Sequence, residues 1–119
     1  MAKHNELGKK GEEEAAAFLQ KKNYLILERN YRFLKAEIDI IAQKEDTLVA
    51  VEVKTRSTSE FGNPQDFVKP KKIKLMLKAF DHYINTNDLD VEARFDIIAI
   101  VKNKLGTRIE HLENAFLYF

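Results

Sequence analysis

The sequence predicts an α/β fold, a mixed sheet flanked by helices, with its elements in the order α-β-β-β-α-β-β. Two segments carry apolar residues at helical spacing, and strand-like alternation fills the region between them. Residues 97–100, after the second of these segments, are continuously apolar, as is typical of a strand buried on both faces. We expect the first three strands to form an antiparallel meander and the strand after the second helix to add alongside it. The 119 residues are expected to form a single domain, 1–119.

The first helix is predicted from about Asn5 to Lys22, where alanines fill the middle and apolar residues recur at helical spacing. Those residues are Leu7, Ala15, Phe18 and Leu19. Glu12 shares their stripe, so its carboxylate is expected on or beside the buried face. The helix dipole alone would equally favour an acid near the start of a helix. Asn23 suits the left-handed position that ends a helix.

A hairpin over residues 35–56 is the centre of the predicted sheet, and it follows a first strand over residues 24–31. Apolar residues alternate along both arms, so the pairing should place apolar residues opposite each other. With a turn centred on residues 45–46, the numbers of paired residues add up to 91. The expected apolar pairs are Ile38 with Val53, Ile40 with Val51, and Ala42 with Val49, which puts Ile38 and Ile40 on one face.

The same register places the carboxylates of Asp39 and Glu52 directly opposite each other, and Glu37 opposite Lys54. Opposed residues have Cβ atoms roughly 4.5–5.5 Å apart, where like charges destabilise a sheet. A raised pKa, a cation such as Lys54, or a bound divalent metal would make this pair tolerable. Mg²⁺ is typically held by one or two carboxylates, with water and phosphate as its other ligands. The pattern indicates metal-assisted phosphodiester hydrolysis, and a half-exposed antiparallel strand is the plainer interpretation of it.

Residues 57–64 are polar and rich in turn formers, so they are expected to form a loop over the acid pair, either a substrate contact or a plain connector. A second helix follows, from Lys69 or Pro70 to Ile84, with the proline suited to the first turn. Its expected core stripe is Ile73, Leu77, Phe80 and Ile84, with Met76 and Tyr83 at the margins. Two further strands, over residues 91–102 and 108–113, flank a turn.

The second helix also concentrates lysines, which supply a candidate basic surface although the net charge of the chain is only +1. The candidate nucleic-acid contacts are Lys71, Lys72, Lys74 and Lys78, together with Arg56 at the end of the hairpin. Arginine can bind a phosphate bidentately, and lysines can follow a phosphate backbone. A solvated helix face would have the same composition.

Composition excludes several other classes of protein. The chain has no cysteine, hence no disulfide framework or thiolate metal site, and His4, His82 and His111 follow no zinc-ligand spacing. No apolar run approaches the roughly 18 residues of a membrane span, and the N-terminal residues lack the apolar core of a signal peptide. We therefore expect a cytoplasmic protein without a membrane partner. The aromatic-rich segment 115–119 is expected either to pack under the sheet or to form an exposed tail, with a dimer contact as its candidate role.

The spacing of Asp39 and the segment Glu52-Val53-Lys54 resembles the signature of restriction-endonuclease-like (PD-(D/E)XK) nucleases. Nearly the whole chain resembles the YraN family of small bacterial proteins, usually described as predicted endonucleases and related to archaeal Holliday junction resolvases. The matching segments are Gly8–Glu12 with Ala15, Asn30–Arg32, Glu37–Asp39, Val51–Arg56, Phe61-Gly62 with Pro64, Arg94–Asp96 and Ala115-Phe116. The family usually has glycine where this chain has Ala36, a difference that matters only if that position needs a positive φ.

This resemblance implies a restriction-endonuclease-like core and a Mg²⁺- or Mn²⁺-dependent endonuclease acting on DNA, with branched or otherwise non-duplex DNA as a candidate substrate. Asp39 and Glu52 would hold the metal with the Val53 carbonyl, Lys54 would position or activate water, and Glu12 would support the metal. Resolvases of this kind work as dimers, so a homodimer is a candidate assembly. The alternative is a non-catalytic module that binds nucleic acid or a protein on a nuclease-like scaffold.

Overall fold

The computed structural model describes residues 2–57 and 68–116 of the chain, with side chains from Gly8 onward. The elements are α1 (Ala2–Lys21), β1 (Leu25–Phe33), β2 (Ala36–Lys44), β3 (Thr47–Arg56), α2 (Pro70–Thr86), β4 (Glu92–Asn103) and β5 (Gly106–Leu112). This order confirms the predicted α/β layout. Most of the loop predicted over residues 57–64 lies outside the described residues, as do the last three residues of the chain, 117–119.

The described strands form one five-stranded sheet in the order β1-β2-β3-β4-β5. The first three make an antiparallel meander, β4 is parallel to β3, and β5 is antiparallel to β4. A parallel pair needs a crossover connection, and the chain between β3 and β4 contains α2. The sheet is therefore mixed, with the acid-bearing hairpin inside the meander, as the sequence predicts.

A helix covers each face of the sheet, so the central strands are buried on both sides. Along β3, Leu48 and Ala50 belong to the core cluster that includes α2, whereas Val49 and Val51 belong to the cluster that includes α1. All four are completely buried. This two-sided burial explains why β3 reads as a nearly continuous apolar run before Glu52.

The backbone conformation is informative at two positions for which the sequence leads to an expectation, Asn23 and Ala36. Asn23 ends α1 with a left-handed φ of 71°, and the following Tyr24 N–H donates to the Leu19 carbonyl at 3.0 Å. Ala36 is not among the described non-glycine residues with positive φ; Leu34, in the preceding turn, has a φ of 56°. Ala36 therefore imposes no backbone strain at this position.

The orientation of α2 differs from the predicted core stripe. Leu77 is 40% exposed, whereas Met76 and Tyr83, expected at the margins, are buried. The buried positions of the helix are Ile73, Met76, Ala79, Phe80 and Tyr83. Tyr83 makes an edge contact with Tyr31 of β1, with ring centroids 5.2 Å apart, so aromatic packing accompanies the rotation. At about 100° per residue, the same rotation brings Lys72 to the sheet side of the helix.

The end of the described chain packs against the sheet. Phe116 is buried in the α2-side core, and the preceding Ala115 N–H donates to the Phe95 carbonyl at 2.9 Å. Of the two expectations for the aromatic C-terminal segment, packing under the sheet is therefore correct for Phe116. No helix in the described part of the chain is long and apolar enough to cross a membrane.

Candidate functional site

The hairpin between β2 and β3 has the predicted register, but its ladder is shorter than predicted. It pairs Lys44 with Thr47 at the turn and ends with Ile40 paired with Val51. Asp39 and Glu52 therefore do not form a ladder pair, and the expectation of direct opposition is wrong at this position. Beyond the ladder, the Val53 N–H donates to the Asp39 carboxylate at 2.8 Å. The Asp39 side chain supplies the acceptor for this backbone donor.

The ladder ends where the alternation of β2 is interrupted. Ile40 packs in the core cluster on the α1 side, but Ile38 packs on the α2 side, so the two do not share a face as predicted. The pairing of β1 with β2 shifts register between Ile26 and Glu28, and it includes neither Asn30, whose φ is 53°, nor Asp39. Asp39 therefore has no ladder partner in β1 or β3, and its side chain lies beside the strand that carries Glu52.

The environment of Asp39 disfavours the ionised form of its carboxyl group. Burial, followed by the neighbouring charge of Glu52, raises the pKa of Asp39 from 3.8 to about 7. The Val53 N–H and the ammonium of Lys72 oppose that shift. A carboxyl with this pKa holds a proton near neutral pH and releases it readily when a cation approaches.

Glu52 is the most buried acid of the hairpin, with a side chain only 4% exposed. Its Oε1 atom accepts a hydrogen bond from Lys72 Nζ at 2.8 Å and lies 3.6 Å from Lys54 Nζ. Its Oε2 atom is buried and has no hydrogen-bond partner among the described residues. A buried carboxylate oxygen without a donor is costly unless another ligand binds it.

Lys72, one of the predicted nucleic-acid contacts, has its ammonium against Glu52 rather than on the outer surface of α2. The reason is the rotation of the helix, which turns Lys72 toward the sheet. The other three lysines of the predicted surface, Lys71, Lys74 and Lys78, are exposed, and Arg56 is half-buried at the end of β3.

Glu12 reaches the same region from α1. It is half-buried, and burial raises its pKa, as do the charges of Glu37 and Glu52, while Arg29 lowers it. With its amide oriented to satisfy its neighbours, Asn30 donates to Glu12 Oε1 at 2.8 Å and to Glu37 Oε1 at 3.2 Å. Asn30 therefore links these two acids, and the only sign of this role in the sequence is that Asn30 lies in a segment that matches the resembling family.

Gly11 permits this approach of α1 to the sheet. A Cβ atom on Gly11 would overlap the hydroxyl of Thr55, so α1 lies closer to β3 than any other residue would allow. Thr55 follows Lys54 directly, and Gly11 precedes Glu12. The contact sets Glu12 beside the end of β3 that carries Glu52 and Lys54.

The carboxylate oxygens of Glu52 and Asp39 are ligands that suit a hard divalent cation. No group of three or more His, Cys, Asp or Glu side chains surrounds one point within the described ranges. Mg²⁺ sites commonly need only one or two carboxylates, because water and phosphate supply the remaining ligands. The unpartnered Glu52 Oε2 and the carboxyl of Asp39, whose pKa is raised to about 7, offer such a pair. The residues present therefore fit Mg²⁺ or Mn²⁺.

A second polar network, on Asp96, was not found by sequence reasoning. Asp96 is completely buried and accepts hydrogen bonds from Arg94 at 2.9 Å, His111 Nε2 at 2.7 Å and the Asn114 N–H at 3.0 Å. Burial alone would raise the pKa of Asp96, but these donors lower it below its usual value. Lys22 Nζ lies 2.9 Å from His111 Nδ1. The network joins β4, β5 and the end of α1, and we interpret it as structural.

The chain is similar throughout its length to proteins of one family. The sequence pattern of the uncharacterised protein family UPF0102 matches residues 11–100. A UPF0102 protein of Christiangramia forsetii is 66% identical, and one of Flavobacterium psychrophilum is 62% identical, each over the full length of both chains. A UPF0102 protein of Bacteroides thetaiotaomicron is 47% identical over 98% of this chain and 96% of its own length.

Proposed function

This chain belongs to the UPF0102 family, the YraN-like proteins, and from that premise and the geometry around Glu52 we propose that it is a metal-dependent endonuclease that acts on DNA. The observation that carries the proposal is the buried Glu52 carboxylate, which has one oxygen without a partner among the described residues. It stands beside a second carboxyl, Asp39, whose pKa is raised to about 7. Such a pair is unstable by itself and is relieved by a cation.

Each residue of the site has a part in this proposal. Asp39 and Glu52 would hold the metal, with the Val53 carbonyl as a further ligand. The bound metal would stabilise the charge that develops on the phosphate and lower the pKa of an attacking water. Lys54, 3.6 Å from Glu52 Oε1, would orient that water, and Glu12 would support the metal from α1.

The exposed lysines of α2 would hold the substrate. Lys71, Lys74 and Lys78 turn away from the sheet, on the helix that also contacts Glu52 through Lys72. Together with Arg56 they would bind phosphates on either side of the cleaved bond. Branched or otherwise non-duplex DNA is the first candidate substrate because of the resemblance to junction resolvases. The same resemblance suggests a homodimer, and we propose a cytoplasmic location.

Thermal melting with and without Mn²⁺ or Mg²⁺ tests the proposal. A ligand at about 100 times its Kd stabilises a protein by roughly 2.7 kcal/mol, which shifts the Tm of a domain of this size measurably. We expect such a shift in the wild type and in Asp90→Asn, a variant of an exposed loop acid, and none in Asp39→Asn. Cleavage of a panel of branched and duplex DNA then identifies the substrate. The absence of any shift, with DNA present as well, would contradict the metal site.

A non-catalytic module that binds nucleic acid or a protein is the alternative, and one observation favours it. Lys72 already supplies a positive charge to Glu52 at 2.8 Å, so the acid has an internal partner. If that ion pair is the resting structure of a binding module, DNA should bind equally well in EDTA and in Mn²⁺. Cleavage should then be absent with every substrate.

A further inference from the structure

We propose that the ammonium of Lys72 is a resident cation that holds Glu52 in the metal-free protein, and that a divalent metal must displace it to bind. The inference deepens the proposed function and rests on it. Of the two lysines near Glu52, Lys72 makes the shorter contact with Oε1, 2.8 Å against 3.6 Å for Lys54. Lys72 therefore provides most of the positive charge that this buried carboxylate needs.

The two partners differ in how easily they can leave this contact. The Glu52 side chain is 4% exposed and anchored in a central strand, whereas the Lys72 side chain is 44% exposed at the surface of α2. A lysine has a long flexible stem, and its ammonium regains hydration when it moves into solvent. When the pair separates, Lys72 moves and Glu52 stays.

A metal and the Lys72 ammonium cannot share Glu52 without strong repulsion. A Mg²⁺ ion binds a carboxylate oxygen at about 2.0–2.1 Å, and the ammonium lies 2.8 Å from Oε1 of the same group. The two charges of the metal and the one of Lys72 would then lie within a few ångströms of each other, in a partly buried site where water screens charges less than in bulk solvent. Binding of the metal would therefore release Lys72.

After its release, the Lys72 side chain can bind a phosphate of the substrate. Lys72 lies on the same helix as Lys71, Lys74 and Lys78, the lysines that the proposed function assigns to phosphates. Once freed from Glu52, its ammonium can bind a phosphate close to the metal. By reciprocity, a metal that frees Lys72 should strengthen DNA binding, and DNA should strengthen metal binding.

The test compares the Mn²⁺ affinity of wild type and Lys72→Met, measured by calorimetric titration and by the concentration dependence of the Tm. Removing the competing cation should lower the Kd for Mn²⁺ by roughly tenfold. Lys54→Met should change the Kd less, because its contact is longer, and Lys21→Met, at the far end of α1, should leave it unchanged. Lys72→Arg keeps the charge and should keep a Kd near that of the wild type.

The results separate this inference from the proposed function. An unchanged or weaker Mn²⁺ affinity in Lys72→Met, with binding in the wild type, overturns the displacement and leaves the metal site intact. Binding by the variant alone would support both the site and the competition. No binding by either protein overturns the metal site and the displacement together. Whether Lys72 holds Glu52 in the metal-free protein is then tested by a double-mutant cycle of Lys72→Met and Glu52→Gln without metal. Additive changes in the free energy of unfolding would overturn that role.

Discussion

The backbone N–H of Val53 donates to the carboxylate of Asp39 at 2.8 Å, past the point where β2 and β3 stop pairing. This contact binds Asp39 to the strand that also carries Glu52 and Lys54. The candidate site therefore lies where two strands separate, rather than on the face of a continuous ladder. Such a gap gives a metal or a water access to acids that a closed ladder would keep in contact with each other.

The stability of the metal-free protein should decrease as the pH rises from 3.8 to about 7, because the pKa of Asp39 is raised across that interval in the folded state. The folded protein binds more protons than the unfolded chain there, so each pH unit favours unfolding by at most about 1.4 kcal/mol. Urea unfolding at a series of pH values measures the effect. Asp39→Asn should remove this part of the pH dependence because an amide does not titrate, and its amide oxygen can still accept the Val53 N–H. Parallel pH profiles for the two proteins would contradict the raised pKa.

Lys54→Ala should abolish DNA cleavage while changing Mn²⁺ affinity little. The Lys54 ammonium lies 3.6 Å from Glu52, farther than that of Lys72, so it is not the main partner of the acid. Loss of a group that positions a water typically lowers a rate by a factor of roughly 10²–10⁴. Single-turnover cleavage and Mn²⁺-dependent melting measure the two quantities separately. Equal losses of both would make Lys54 a structural partner of the acids.

Gly11→Ala should destabilise the protein by about 1–3 kcal/mol, because the added methyl group would overlap the Thr55 hydroxyl and push α1 away from β3. The matched control is Gly8→Ala in the same helix, where a Cβ meets no atom within 4 Å among the described residues. Alanine favours a helix over glycine by up to about 1 kcal/mol, so Gly8→Ala should be neutral or stabilising. Denaturant unfolding of both variants checks the difference. Equal effects would contradict the close contact at Gly11.

Asp96→Ala should cost about 3–5 kcal/mol, because it leaves Arg94 and His111 without their buried partner. Glu113→Ala serves as the control: its side chain is 56% exposed and touches the same arginine at 3.5 Å. An exposed ion pair contributes roughly 0–1 kcal/mol, so this variant should unfold nearly as the wild type does. Chemical denaturation compares the two free energies of unfolding. A loss in Asp96→Ala as small as that in Glu113→Ala would contradict a stabilising network.

The sequence by itself determined the elements of the fold, their order and the register of the central hairpin. These follow from short-range patterns: apolar alternation and the turn at residues 45–46 place Ile40 opposite Val51, and Asn23 ends α1. In such cases each residue is constrained by neighbours a few positions away. The residue types of the candidate site could also be predicted from the sequence, because Asp39, Glu52 and Lys54 lie on two adjacent strands of that hairpin.

The tertiary structure alone decided where the ladder stops and what reaches Glu52. Asp39 has no ladder partner in either neighbouring strand, although the apolar alternation of the hairpin predicts that it pairs with Glu52. The rotation of α2 is set by packing against the sheet, since more than one apolar stripe has the same helical period, and this rotation brings Lys72 to the acid. The buried hydrogen-bond network of Asp96 likewise joins segments that are distant in the sequence. These contacts depend on how separate elements pack, and no local pattern in the chain encodes that arrangement.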